Sequence, residues 1–279
     1  MGSRSQTLPF VPSILRCFLF AALYLCLTAC ATVPITERRS LQILPDSELA
    51  TLSLQQYSEI LKKSKLSADP RKVQMVRRVG ERIAHATEEF FVESGMADEI
   101  KSYQWEFNLI EDDKTVNAWC MPGGKVAVYT GLLPITQDET GLAVVMGHEI
   151  GHAVAKHGNE RMSQGLLVQL GGIGLAAALG SNSAATTDLF LAAYGAGTQL
   201  GVLLPYSRLQ ESEADRIGLV LMAKAGYDPR QAIPFWERMR AKGGARPPEL
   251  LSTHPAPESR IENLRKYIPE ALPYYKKSR

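Results

Sequence analysis

Cysteine is scarce in this chain, and what there is sits in the wrong places for a disulfide. Cys17, Cys26 and Cys30 lie in or beside an N-terminal apolar run, which leaves Cys120 as the one thiol in the body of the sequence. With a leader removed ahead of Cys30 and Cys30 carrying lipid, no internal disulfide can form. Cys120, next to Trp119, reads as a packed thiol without a catalytic role. Charge of one sign is missing too: the formal net charge is +2, which gives no reason to expect nucleic acid or an acidic partner. Nor does any apolar run reach the roughly 20 residues of a confident spanning helix. Leu166 to Leu179 and Leu189 to Leu204 are apolar but carry Gln or Gly, around a polar Ser181 to Asp188 break. Residues 163–205 therefore read as helices of small residues that pack closely, with a membrane-dipping lid as the alternative.

What remains is an ordinary globular composition, 45% hydrophobic and 22% charged over 279 residues, enough for a sizeable core. At the N-terminus, Arg4 and Arg16 accompany a short apolar run from Cys17 to Ala29, as in a secretory leader. The run ends Leu27-Thr28-Ala29-Cys30, which resembles a bacterial lipobox with Cys30 as the lipidated residue. An uncleaved anchor is the alternative. Ala31, rather than Asp, follows the lipid site, as in lipoproteins sent to the outer membrane of Gram-negative bacteria. The expected organisation is a leader at 1–29, a tether at 30–45 and a single domain at 46–279. The expected location is the outer membrane, held by the lipid anchor and facing the periplasm.

Periodicity outlines the domain. Asp46 to Lys65 reads as a helix of mixed polarity. Asp69-Pro70 is a helix start, with Val73, Val76, Val79, Ile83 and Phe90 at helical spacing and Gly95 as the stop. Alternating residues at 105–110, 115–119 and 125–129 predict three strands of a small antiparallel sheet. A free edge of such a sheet could bind an extended peptide, or could be blunted by Lys125.

The stretch that organises the chain is His148-Glu149-Ile150-Gly151-His152, an H-E-x-x-H inside an apolar run. On a helix, residues four apart project from one face, so His148 and His152 can share a metal ion and Glu149 can serve the water it activates. A buried helix with two hydrogen-bonded histidines is the bland alternative. Thr136-x-x-Glu139 reads as the capping box of this helix, which is expected to run to about Lys156. His157 lies about 140° from His152 on a continuous helix and so should point away, as a surface or outer contact residue.

A second helix opens at Ser207-x-x-Gln210 and closes at Gly226. Glu211 and Asp215, four apart, share a face, and Glu213 lies elsewhere. Acidic residues in a first turn also favour the helix dipole without binding anything. Beside H-E-x-x-H, the pair offers a third ligand and a carboxylate to orient a ligand histidine.

Taken in order, H-E-I-G-H, S-R-L-Q-E-S-E-A-D-R-I-G-L, G-Y-D-P and T-H-P-A-P-E-S-R-I resemble the M-forty-eight family of zinc metallopeptidases over roughly Val73 to Arg265. The resemblance implies an α+β fold: a mostly α-helical zincin-type metallopeptidase domain with the small antiparallel sheet next to the H-E-x-x-H helix. It implies one zinc held by His148, His152 and Glu211, with Glu149 as general base and Asp215 hydrogen-bonded to a ligand imidazole. Asn117 would grip the substrate backbone. His254 and Arg260 would reach the site from the C-terminal part, His254 either stabilising an oxyanion or closing onto zinc. The implied activity is a zinc endopeptidase of the bacterial cell envelope acting on misfolded or stalled envelope proteins. No 34-residue helical repeats that could dock substrate are seen, so a docking module is expected to be missing or supplied by another protein. The expected partners are unfolded or misfolded envelope proteins and the membrane through the lipid anchor, with outer-membrane assembly machinery as a further candidate. Prenylated substrates are not expected. The rival reading is a non-proteolytic chaperone or assembly factor with a structural zinc.

Overall fold

The computed structural model describes residues 30–170, 207–242, 248–254 and 259–277. The leader read at 1–29 and most of the small-residue stretch at 163–205 lie outside these residues.

Helix α1 spans Asp46–Lys63 and α2 spans Pro70–Glu93. The start of α2 is as the sequence dictates: the Asp69 carboxylate accepts from the backbone N–H of Arg71 and Lys72 at 3.0 and 3.2 Å, and Pro70 takes the first helical position. Val76, Val79, Ile83, Phe90 and Phe91 form its buried stripe. A short α3 at Ala97–Ile100 leads into the sheet.

Strands β1 (Cys30–Thr32) and β2 (Arg39–Leu41) precede α1 and pair antiparallel. The stretch expected as a tether is thus folded, and Val33 and Ser40 within it are buried. Strands β3 (Glu106–Ile110), β4 (Ala118–Met121) and β5 (Lys125–Tyr129) form the main sheet in the order β3-β5-β4. The β4–β5 hairpin is antiparallel, turning at Gly123 and Gly124 with φ of +78° and +83°, values that favour glycine. The β3–β5 pair is parallel, because the chain after β3 passes to the far side of β5 before returning. The sheet is therefore antiparallel in one pair only. Lys125 sits on the central strand, with Nζ donating to the Gln104 carbonyl at 2.6 Å, so it cannot blunt an edge.

After α4 (Leu133–Thr136) comes the central helix α5, Glu139–Val154. Leu142, Val145, Met146 and Ile150 are fully buried around its circumference, as expected of a helix with neighbours on all sides. Its N-cap is Asp138, whose carboxylate accepts from Gly141 N–H at 2.8 Å. Thr136 does not cap it: its hydroxyl donates to the Leu133 carbonyl and closes the previous helical turn. The helix ends earlier than expected. Lys156 adopts a φ of +56°, the chain turns, and α6 begins at His157 and runs to Leu170.

Helix α7 (Arg208–Lys224) packs along α5 and opens with a complete capping box between Ser207 and Gln210. Helices α8 (Ala232–Ala241), α9 (Glu249–Thr253) and α10 (Ser259–Lys277) complete the fold. Among the described residues no helix is long and apolar enough to cross a membrane.

Candidate metal centre

His148 and His152 face the same way from adjacent turns of α5, with Nε2 atoms 3.1 Å apart. Glu211, in the first turn of α7, reaches both: Oε2 lies 3.5 Å from His148 Nε2 and Oε1 lies 3.3 Å from His152 Nε2. His254, at the C-terminus of α9, brings Nδ1 to 3.0 Å from Glu211 Oε1 and 3.3 Å from His148 Nε2. One donor atom from each of the four lies within 4.8 Å of the others, and all four side chains are buried.

Four donors at zinc bond lengths of about 2.0–2.1 Å in a tetrahedron are about 3.3 Å from one another. The separations here bracket that figure, and three imidazoles with one carboxylate are a donor set that suits zinc. The residues present therefore fit a zinc ion.

The charges in the cluster are set by burial and by partners. Burial and the Arg260 guanidinium push the His148 imidazolium down, but hydrogen bonds to Asp215 and Glu211 outweigh them and hold its pKa up at about 9. Burial keeps His152 well below its ordinary value, and so neutral. Burial alone would raise Glu211; the facing His254 and His152, with the close approach of the two α5 rings, override it and keep the carboxyl well below its ordinary value. Burial raises Glu149, opposed by His254 and His148. Its Oε1 lies 3.7 Å from His254 Nε2 and has no hydrogen-bond partner among the described residues. A buried acceptor left open beside the cluster is where a water-activating base is needed.

Asp215 and Arg260 support the ligands. Asp215 Oδ1 is 2.9 Å from His148 Nδ1, and Arg260 Nη2 donates to the same oxygen at 2.6 Å. Arg260 Nη1 approaches Glu211 Oε2 at 3.4 Å, and its guanidinium carbon lies 3.3 Å from the centre of the Trp236 ring. Trp236 had no local sequence signal. Asn117 is not brought into the cluster. It stands just before β4, where its side-chain oxygen accepts from Ala118 N–H at 2.9 Å and its amide holds the Glu249 carboxylate. Cys30 opens β1 opposite Leu41. Cys120 is a buried free thiol, its pKa pushed well up by burial and by Glu149.

His157 is an outer contact, one of the two readings expected of it, and not a surface residue. It is fully buried, with Nδ1 at 2.8 Å from His152 Nδ1 and Nε2 at 2.9 Å from Glu213 Oε2. The 100° count assumed an unbroken helix, and the turn at Lys156 swings the ring back over His152. Glu213, off the metal face as expected, is held at about 2 in spite of burial by hydrogen bonds from His157, Arg38 and Thr36.

A model of peptidase family M48 matches residues 70–268. The chain is 36% identical over 194 residues to the mitochondrial metalloendopeptidase OMA1 of Saccharomyces cerevisiae, a match covering 67% of this chain and 53% of the yeast protein. It is 32% identical over 246 residues to the mitochondrial metalloendopeptidase OMA1 of Homo sapiens, covering 86% of this chain and 46% of the human protein. It is also 34% identical over 168 residues to the beta-barrel assembly-enhancing protease of Escherichia coli, covering 58% and 34% respectively. The chain thus spans about half the length of the two OMA1 relatives. These mitochondrial relatives overturn the expectation of an outer-membrane lipoprotein facing the periplasm. That reading rested on a short apolar run with a small-residue end.

Proposed function

The chain belongs to peptidase family M48, and from that premise we propose that it is a zinc-dependent endopeptidase acting on misfolded or stalled proteins. The observation that carries the reading is the convergence of His148, His152, Glu211 and His254 with the open carboxylate of Glu149 beside them. Zinc, when bound, supplies Lewis acidity that polarises a peptide carbonyl and lowers the pKa of water.

The chain's own groups do the rest. Glu149 accepts the proton of the attacking water and passes it to the leaving amine, and a carboxyl raised by burial suits both duties. Asp215 keeps His148 oriented through Nδ1, and Arg260 neutralises Asp215 and Glu211 together. Strand β4 is the outer strand next to α5, and an extended substrate can pair along its outer edge, which pairs with no other strand among the described residues. The Val116 carbonyl, ahead of that strand, accepts from Leu250 N–H at 3.2 Å, which brings the segment carrying His254 to the same approach.

His254 fits a gate. Four protein donors make a closed set, whereas hydrolytic zinc sites keep one position for water. His254 withdraws for turnover and returns to shut the site.

The closed set is also what favours the second reading, a structural zinc in a non-proteolytic assembly factor. Glu149→Gln separates the two. In the full-length protein loaded with zinc, the variant keeps the parent's zinc content and loses cleavage of an unfolded protein by at least about 100-fold, the lower end for loss of a general base. Undiminished cleavage would remove Glu149 from the mechanism; absence of cleavage in the parent under every loading condition would favour the structural reading.

A further inference from the structure

The two ligand imidazoles of α5 are held in different ways. His148 Nδ1 meets the Asp215 carboxylate directly at 2.9 Å. His152 Nδ1 meets a second imidazole, His157 Nδ1, at 2.8 Å, and only the far side of that ring meets a carboxylate, Glu213 Oε2 at 2.9 Å. An ionised carboxylate can only accept, so His157 carries its proton on Nε2 and offers a lone pair from Nδ1. The short contact between the two Nδ1 atoms then requires the proton to sit on His152. That leaves His152 Nε2, the atom facing Glu211 and His148, unprotonated, with its lone pair directed into the cluster. The opposite direction of donation would put the His152 proton on Nε2, where a cation has to bind.

Glu213 is fixed in turn. Arg38 donates to Oε2 from Nε at 2.9 Å, and the Thr36 hydroxyl donates to Oε1. Arg38 also spans Glu160 with two hydrogen bonds of 2.7 and 2.8 Å, and Gln210 donates to Glu160 at 2.8 Å. Thr36 and Arg38 belong to the turn between β1 and β2, so this N-terminal strap reaches the outer end of the series.

We propose that His157 and Glu213 are a positioning relay that fixes the ligand tautomer of His152, and that Arg38 of the strap locks its outer end. The proposal rests on the metal reading above, and its test separates the two. Zinc affinity is measured on the full chain by competition with a chromophoric chelator, for the parent and for His157→Ala, His157→Gln, Glu213→Ala and Arg38→Ala. Loss of an outer partner of a ligand histidine weakens binding by about 10–100-fold. That loss is expected in His157→Ala and Glu213→Ala, with a smaller one in Arg38→Ala. His157→Gln recovers most of the affinity, because its amide oxygen can accept from His152 Nδ1–H.

Nitrogen–proton correlation spectra of the zinc-loaded parent provide a second readout, with His157 protonated on Nε2 and His152 on Nδ1. Affinity in His157→Ala equal to the parent's, or a proton found on His157 Nδ1, overturns the relay and leaves the metal site standing. A parent that binds no zinc overturns the metal reading itself. Should His157→Ala fail to fold, Glu213→Ala and the parent's tautomers still decide.

Discussion

Gly147 on α5 and Gly218 on α7 meet backbone to backbone: a Cβ built on Gly218 would lie 2.8 Å from the Gly147 carbonyl carbon and 2.8 Å from His148 N. One turn along, a Cβ on Gly151 already comes to 2.9 Å of the Ala214 carbonyl oxygen. The helices approach this closely only because nothing projects between them. That approach brings Glu211 within 3.5 Å of His148 and Asp215 within 2.9 Å. The small residue between Glu149 and His152 in the motif is thus a packing requirement of the metal site.

Gly218→Ala tests this. The added methyl meets backbone, which cannot rotate away, so the helices must part. Overpacking of this kind costs about 1–3 kcal/mol. A lower midpoint in thermal unfolding together with weaker zinc binding is expected. Parent-like values for both would show that the pair of helices parts freely.

His254→Ala addresses the gate. Its Nδ1 is the fourth donor, so its removal turns a closed set into an open one. Peptide cleavage should rise severalfold while zinc affinity falls. A fall in turnover at saturating zinc would instead make His254 a donor to the developing oxyanion.

Asp215→Asn isolates the support of the first ligand. Asn can still accept from His148 Nδ1–H, but the charge that Arg260 neutralises at 2.6 Å is gone. Zinc affinity should drop about tenfold, at the low end for such partners. Affinity equal to the parent's would mean that the Asp215 charge has no part in holding the metal.

The metal cluster was legible because its key pairs are local. His148 with His152, and Glu211 with Asp215, are four apart on helices whose starts and apolar patterns are plain. His254 and Arg260 came only through resemblance, since no local period ties them to the site. The outer residues were hidden for separate reasons. His157 required knowledge of the turn at Lys156, whose left-handed φ is not typical of lysine. Arg38 lies in a segment that looks like a tether, and its two carboxylate partners come from helices more than a hundred residues away. The pairing of β3 escaped because alternation specifies a strand without naming its neighbour.

Arg38→Ala carries the last prediction, on acid stability. The Arg38 side chain is 21% exposed and binds Glu160, which is 8% exposed, at 2.7 Å. Burial alone would raise the Glu160 carboxyl; hydrogen bonds from Arg38 and Gln210 overcome it and hold the group below its ordinary 4.5. A carboxyl with a depressed folded pKa stabilises the fold above the unfolded value and loses that contribution as pH falls through the folded one. Removing Arg38 takes the shared cation from two buried carboxylates, Glu160 and Glu213, a loss of about 3 kcal/mol at neutral pH. Denaturant unfolding at pH 7 should show this deficit. As pH falls from 4.5 towards about 2 the gap should narrow, because protonation relieves the variant's carboxylates while the contribution of the parent's depressed carboxyls declines towards their folded values, that of Glu213 being about 2. A deficit of the same size at both pH values would assign the effect to the packing of the Arg38 stem rather than to its charge.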